Sequence, residues 1–249
     1  MSLRAATSGR GRVRTQVVGT KTAAPLGPPD PNWSSVVSLL NFDGTNGDTS
    51  FIDATGLRTW SNVSAPALSS TQSPFATTSL SLNGSSYITT PNAADIRFAS
   101  GNFTVEAWIY LTSVAAAQGI VCFRDLSSGD GWELRTSATA QAIWQTSSSF
   151  IQSSSSLLTA NTWIHLAATK SVNDHTLYVN GVCRATFTLT ISANTGSLMT
   201  IGARTNATDK TTGYIGPVRV TSGVARYTGT SVGTTYFTPP TAFFPTYGS

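Results

Sequence analysis

The stretch FTVEAWIYL, Phe103 to Leu111, alternates: Phe103, Val105, Ala107 and Ile109 fall on one side, Thr104, Glu106, Trp108 and Tyr110 on the other. A period of two marks a strand, because successive side chains of an extended backbone point to opposite faces. Segments of the same kind follow it, namely GIVCFR (119–124), GWELRT (131–136), QAIWQT (141–146), TWIHLAATK (162–170), HTLYVNG (175–181), VCRATF (182–187), MTIGAR (199–204) and GYIGPVRV (213–220). VVSLLNF (36–42) and YITTP (87–91) precede it. Asn180-Gly181, between TLYV and VCRA, marks a two-residue hairpin, since both residue types accept positive φ. At least eleven short strands, separated by turn residues and with no convincing helix, predict an all-β, two-sheet antiparallel sandwich.

Composition agrees. The chain has 249 residues, 40% hydrophobic and 10% aromatic, enough for a sizeable core. Only 10% are charged, against roughly 25% in ordinary globular domains. Instead there are 33 Ser and 39 Thr, which suit turns and pleated strands better than surface helices. No run reaches the roughly 18 apolar residues that a membrane span needs, so no membrane partner is expected. The opening MSLRAATSGRGRVRT has arginines and glycine where the apolar core of a secretion signal would stand, and secretion by the usual route is not expected.

The net charge of +4 is local. Residues 1–30 hold five cations (Arg4, Arg10, Arg12, Arg14 and Lys21) and one acid, Asp30, leaving ten of each sign in the rest. Nucleic-acid binding by the folded part therefore lacks its main electrostatic support. Residues 1–33 show no apolar period and carry Pro25, Pro28, Pro29 and Pro31, a basic arm with a stiffened spacer. The domain proper is expected over 34–249. Arg10, Arg12 and Arg14 alternate, so an extended arm could present them on one side to a protein partner or, with the modest affinity that five charges give, to packaged nucleic acid. The two cysteines, Cys122 and Cys183, lack a CxxC or Cys/His neighbour, which sets zinc aside, and in their apolar strand-like runs they read as buried free thiols rather than a disulfide.

In order, FDG, GSSYITTP, FTVEAWIYLT, TWIHLAATK, TLYVNGV and IGAR…GYIGPVRV resemble the laminin-G-like, concanavalin A-like lectin/glucanase jelly roll, over about Val36 to Val220. The ending GVARYTGTSVGTTYFTPPTAFFP (223–245) is similar to that of such domains in bacteriophage structural proteins. The resemblance implies two curved antiparallel sheets with a concave face and rim loops. It does not assign a function, because this fold carries enzymes, lectins and scaffolds.

Hydrolysis in glucanase relatives uses acids at alternating positions of one strand, and glycoside cleavage needs two carboxylates about 5–10 Å apart. This chain has two glutamates. Glu106 is flanked at alternate positions by Thr104 and Trp108, and Glu133 sits between Trp132 and Leu134. No catalytic pair is expected, and the chain reads as a non-enzyme. His165 and His175 accompany no nucleophile motif and read as structural. No cofactor is expected. The one metal consideration is calcium on a rim loop, for which DGTNGD offers Asp43, Asn46 and Asp48, although tight turns use the same residues. Many relatives have an acidic dipeptide where this chain reads Gly216-Pro217. A sugar site needs aromatic platforms beside polar groups, and the candidates are Trp108, Trp132 and Trp144 with Asp130 and Arg135.

These readings combine into an expectation of a non-enzymatic bacteriophage virion structural protein, a capsid decoration (cement) or fibre-type component. The arm residues would anchor it to other virion proteins of capsid or tail, with the jelly roll displayed. The alternative is a carbohydrate-binding module that recognises host surface polysaccharide. The two predict different losses: removing the arm would abolish incorporation, whereas changing the aromatic platforms would abolish glycan binding.

Overall fold

A computed structural model describes residues 28–98, 101–125, 127–146, 149–189 and 198–248. Arg4, Arg10, Arg12, Arg14 and Lys21 lie outside the described residues. Fifteen strands occur among the described residues: β1 (Val36–Leu40), β2 (Ser61–Val63), β3 (Ala67–Ser69), β4 (Ser79–Asn83), β5 (Tyr87–Thr90), β6 (Phe103–Leu111), β7 (Gln118–Arg124), β8 (Gly131–Thr136), β9 (Ala142–Thr146), β10 (Ser149–Gln152), β11 (Trp163–Ser171), β12 (Asp174–Val179), β13 (Val182–Thr188), β14 (Met199–Ile201) and β15 (Thr212–Ser222). No helix among the described residues is long and apolar enough to cross a membrane.

The strands form two antiparallel sheets. One runs β13-β12-β11-β6-β15-β4-β3, with β1 also on β15, and the other runs β10-β9-β8-β7-β14-β5-β2. The expected jelly-roll sandwich is therefore the fold. The Asn180-Gly181 turn joins β12 to β13 with φ of 50° and 78°, as the dipeptide predicts. Gly216-Pro217 forms a bulge in β15: Ile215 pairs with Ile109 and Val218 with Ala107, so two residues stand opposite Trp108. A Cβ at Gly216 would lie 2.9 Å from Pro74 Cγ and 3.0 Å from Trp108 Cβ. The bulge lets β15 serve two neighbours in succession, β4 along Thr212–Ile215 and β1 along Val218–Thr221.

Between the sheets lies the main core. Phe103, Val105, Ala107 and Ile109 of β6 face Trp132, Leu134 and Trp144 of the other sheet's β8 and β9. The rings are layered, with Phe98 stacked 4.3 Å from Phe103 and 5.2 Å from Trp132, and Trp132 stacked 5.9 Å from Trp144. Both indole N–H groups are satisfied internally. Trp132 Nε1 donates to the Ile96 carbonyl at 2.8 Å, and Trp144 Nε1 donates to His175 Nδ1 at 3.2 Å. His175 Nε2 lies 3.0 Å from the Leu189 carbonyl. With one nitrogen accepting and the other donating, the ring is held neutral, and burial pushes its pKa down to about 4.

The outer face of the eight-stranded sheet is also buried, which alternation in β6 does not predict. Residues 224–248 lie across it. Tyr227 and Phe237 pack on Ala167, Tyr178 and Cys183, while Phe244 joins Val36 and Leu39 with Trp33. Backbone bonds hold this tail, Cys183 N donating to Thr234 O and Tyr236 N to Gly181 O, both at 2.9 Å. Tyr178 Oη donates to Gly229 O at 2.6 Å. Cys122 and Cys183 are buried, free and carried by different sheets.

Candidate functional site

Glu106 lies under the tail on the eight-stranded sheet. Its Oε1 accepts from Arg219 Nε at 2.8 Å, its Oε2 accepts from Tyr227 Oη at 2.9 Å, and His165 Nε2 is 3.2 Å away. Arg219 Nη1 reaches Asp30 Oδ2 at 3.0 Å, and Arg226 grips both Asp30 oxygens at 3.0 and 2.9 Å. The Arg219 guanidinium lies over the Phe244 ring, 4.0 Å from its centre. Burial alone would raise the Glu106 pKa, but the Arg219 charge, the His165 contact and the Arg226 charge together more than offset it and hold the carboxyl well below the usual range. Burial and the Glu106 charge together push the Tyr227 phenol upward. The two carboxylates and two guanidiniums are spent on one another, so the arrangement is a staple. It fastens residue 30, at the end of the Pro-rich stretch, to β6, β15 and the tail.

The outer face of the seven-stranded sheet is built differently. Because Trp132, Leu134 and Trp144 point into the core, Glu133, Arg135, Ile143 and Gln145 point outward. Register places Phe150, Gln145, Glu133 and Cys122 in one row across β10, β9, β8 and β7. Phe150 is 52% exposed, whereas Glu133 is fully buried. Arg204, from the loop after β14, covers Glu133 with a two-pronged bond, Nε to Oε1 at 3.0 Å and Nη2 to Oε2 at 2.9 Å. Arg135 Nε and Arg124 Nη1 lie 3.7 and 3.9 Å from Glu133 Oε2. Arg135 also donates from Nε and Nη2 to Gln145 Oε1, at 3.3 and 3.0 Å. Chemically this is a fixed plane of hydrogen-bond donors beside an exposed ring. The bond to Glu133 raises the Arg204 pKa, and burial beside Glu133 raises that of the Cys122 thiol.

Residues 82–226 match the family model of the concanavalin A-like lectin/glucanases superfamily. The chain belongs to this superfamily. No curated protein is similar to it in sequence. Solved structures similar to this concanavalin A-like chain include the botulinum neurotoxin serotype D binding domain, at 15% identity and TM-score 0.57 over 79% of this chain and 50% of that one. Another is domain 4 of AbnA, a GH43 extracellular arabinanase from Geobacillus stearothermophilus, in complex with arabinotriose, at 15% identity and TM-score 0.55 over 76% of this chain and 93% of that one. A third is the binding domain of botulinum neurotoxin DC in complex with SialylT, at 13% identity and TM-score 0.55 over 78% and 49%. The chain spans about half the length of the neurotoxin binding domains it matches. At these identities the likeness is one of fold.

Within this concanavalin A-like sandwich the residues proposed for sugar contact are scattered. Trp132 and Trp144 are core residues with no exposed surface, a correction that follows from their alternation with Glu133 and Gln145. Trp108 belongs to the other sheet, packed edge-on against Phe75 and His165. Asp130 ends the β7–β8 turn, where its carbonyl accepts from Asp125 N at 2.8 Å. Of the five, only Arg135 stands on the donor plane. Phe150, Gln145, Arg124 and Arg204 were not singled out in the sequence. Phe150 sits in SFIQ, a four-residue edge strand, and Arg204 reaches Glu133 across 71 positions, a separation that no local pattern encodes.

Glu106 and Glu133 leave opposite outer faces of the sandwich. Two sheets packed about 10 Å apart lie between them, so they do not face one another across a cleft. In the DGTNGD turn, Asp48 Oδ2 accepts from Thr45 N at 2.7 Å and Asn46 Oδ1 accepts from Ser70 N at 2.9 Å. Asp43 is exposed beside them.

Proposed function

We propose that the chain is a carbohydrate-binding jelly roll without hydrolytic activity, and that it binds on the outer face of the seven-stranded sheet. The observation that carries this reading is the row Phe150–Gln145–Glu133. An exposed ring stands beside Gln145, held by hydrogen bonds from Arg135, and Glu133, held by ion pairs, which limits the ordering cost of binding. Sugar rings stack an apolar face on an aromatic and place hydroxyls against fixed polar groups. The arabinotriose complex of the arabinanase domain, which matches over nearly its whole length, supports the assignment. Absence of hydrolysis is supported by both glutamates being engaged by arginines on separate faces. The test is a glycan array followed by isothermal titration of the best ligand with wild-type and Phe150→Ala protein. Loss of the ring is expected to weaken binding about tenfold, as removal of about 1.4 kcal/mol would. Unaltered affinity would remove this face from consideration.

A second reading, a phage virion structural protein anchored by its arm, is favoured by a separate observation. Asp30 is clamped by Arg219 and Arg226, so a basic segment preceding it is attached at one defined place. A groove of about 450 Å³, lined by Pro28, Pro29, Pro239, Pro240 and Pro245, opens beside that point. The two readings are compatible. The anchoring role is tested by co-sedimentation with particles lacking this component, comparing the full chain with a chain starting at Pro28, a cut that spares Asp30. Only the full chain is expected to bind. Equal binding by both would place attachment elsewhere.

A further inference from the structure

We infer that a small cavity beside the DGTNGD turn takes an arginine side chain from this chain's own basic arm. The inference rests on neither reading of function above. The cavity holds about 140 Å³. Phe42, Phe51 and Leu68, all buried, form its inner wall, and Ile52, 81% exposed, stands at the rim with the exposed Asp43 and Asp48. The Asp43 carboxylate makes no hydrogen bond or ion pair among the described residues. Asp48 accepts from Thr45 N through one of its two oxygens. A Cβ at Gly44 would lie 2.5 Å from Leu68 Cδ1 and 3.2 Å from Asp48 Oδ2, so glycine there keeps the space between apolar wall and carboxylate open.

Apolar walls with carboxylates at the opening suit a cation on an aliphatic stem, whose methylenes meet the wall and whose head meets the acids. Ser50 carries the one donor among the lining side chains, so a sugar, which needs donors as well as acceptors, is poorly matched. Calcium, which takes roughly 6–8 oxygens, would meet a wall that is mostly hydrocarbon. Size agrees: a cavity of about 150 Å³ holds benzene, whose heavy atoms are as many as those of arginine beyond Cβ. The sequence supplies the occupant. Residues 1–27 carry Arg4, Arg10, Arg12, Arg14 and Lys21 and no acid, and so account for the net positive charge. Reach is ample. Ala54, two residues past Ile52, packs in one cluster with Trp33, Val36, Leu39 and Phe244, which puts the cavity rim near the start of the described chain. Arg14 stands fourteen residues before Pro28, a length that spans up to about 46 Å when extended. A tether of this kind gives an effective concentration on the order of millimolar, which favours the arm of the same chain over that of a second copy.

The test uses the full chain and two readouts. Hydrogen exchange over residues 43–52 is followed in wild type and in a variant combining Arg10→Gln, Arg12→Gln and Arg14→Gln. Exchange is expected to be faster in the variant, and faster in wild type as salt rises. Trypsin cleavage after the arm arginines is then timed in wild type and Asp43→Asn. Loss of one surface ion pair is expected to speed cleavage about threefold. Should Asp43→Asn lower the unfolding temperature, Ile52→Ala, at an exposed position, serves instead and is expected to speed cleavage as well. Unchanged exchange over 43–52 in the arginine variant overturns the inference, as does an unchanged cleavage rate in both cavity variants. Protection that grows with protein concentration places a second copy's arm in the cavity and overturns the intrachain assignment.

Discussion

Replacing Arg219 by methionine keeps much of the side-chain volume that packs on Phe244 but removes the charge facing Glu106. Glu106 would be left fully buried, with two contacts of 2.7 and 2.8 Å lost and, among the described residues, Tyr227 and His165 as its remaining hydrogen-bond neighbours. Asp30 would lose its 3.0 Å contact but keep the two-pronged grip of Arg226. Removing one partner of a buried ion pair costs about 3–5 kcal/mol, because the other charge stays desolvated and uncompensated. At about 2–4 °C per kcal/mol for a protein of this size, the melting temperature should fall by roughly 6–20 °C. Urea titration of wild type, Arg219→Met, Glu106→Gln and the double variant closes a thermodynamic cycle. The double variant should recover at least about 1 kcal/mol relative to additivity, since the stranded carboxylate is gone. If Arg219→Met lies within about 1 kcal/mol of wild type, or the two losses simply add, the staple does not hold the tail and this reasoning fails.

Acid should destabilise the protein in two stages. Burial lowers the His175 pKa to about 4, so from pH 6.5 downward the unfolded chain takes up a proton that the folded ring refuses. That stabilisation is complete above pH 6.5 and is lost as pH falls towards 4, by about 3 kcal/mol. Melting curves between pH 7 and 5 should show the slope, and His175→Gln should flatten it. The lowered Glu106 pKa adds a further loss below the ordinary carboxylate range, because protonation there weakens its pairing with Arg219. Trp144→Phe should cost about 1–3 kcal/mol by leaving His175 Nδ1 without its donor, and glycan titration with this variant should match wild type. Millimolar calcium added after chelation should leave the melting temperature unchanged, since Asp48 and Asn46 already close the DGTNGD turn. A rise would reveal a site, because a ligand of the native state stabilises it.

Local chemistry alone determined a good deal about this protein. Period-two alternation in FTVEAWIYL and the positive-φ preference of Asn180-Gly181 are properties of a few adjacent residues, and both appear in the structure as read. Alternation in GWELRT also separates Trp132 and Leu134 from Glu133 and Arg135, so the burial of Trp132 was legible in the pattern, although the large aromatic residue suggested a sugar platform. Two things were decided only by tertiary structure. The Glu106 face of β6 is polar enough to meet solvent, yet a tail more than a hundred residues later seals it, and Asp30 completes the charge balance from the other end of the chain. The donor plane likewise assembles Phe150, Gln145, Arg135 and Arg204 from three strands and a loop. Contacts of this kind depend on which strands become neighbours and on what covers a sheet face, and local alternation carries no information about either.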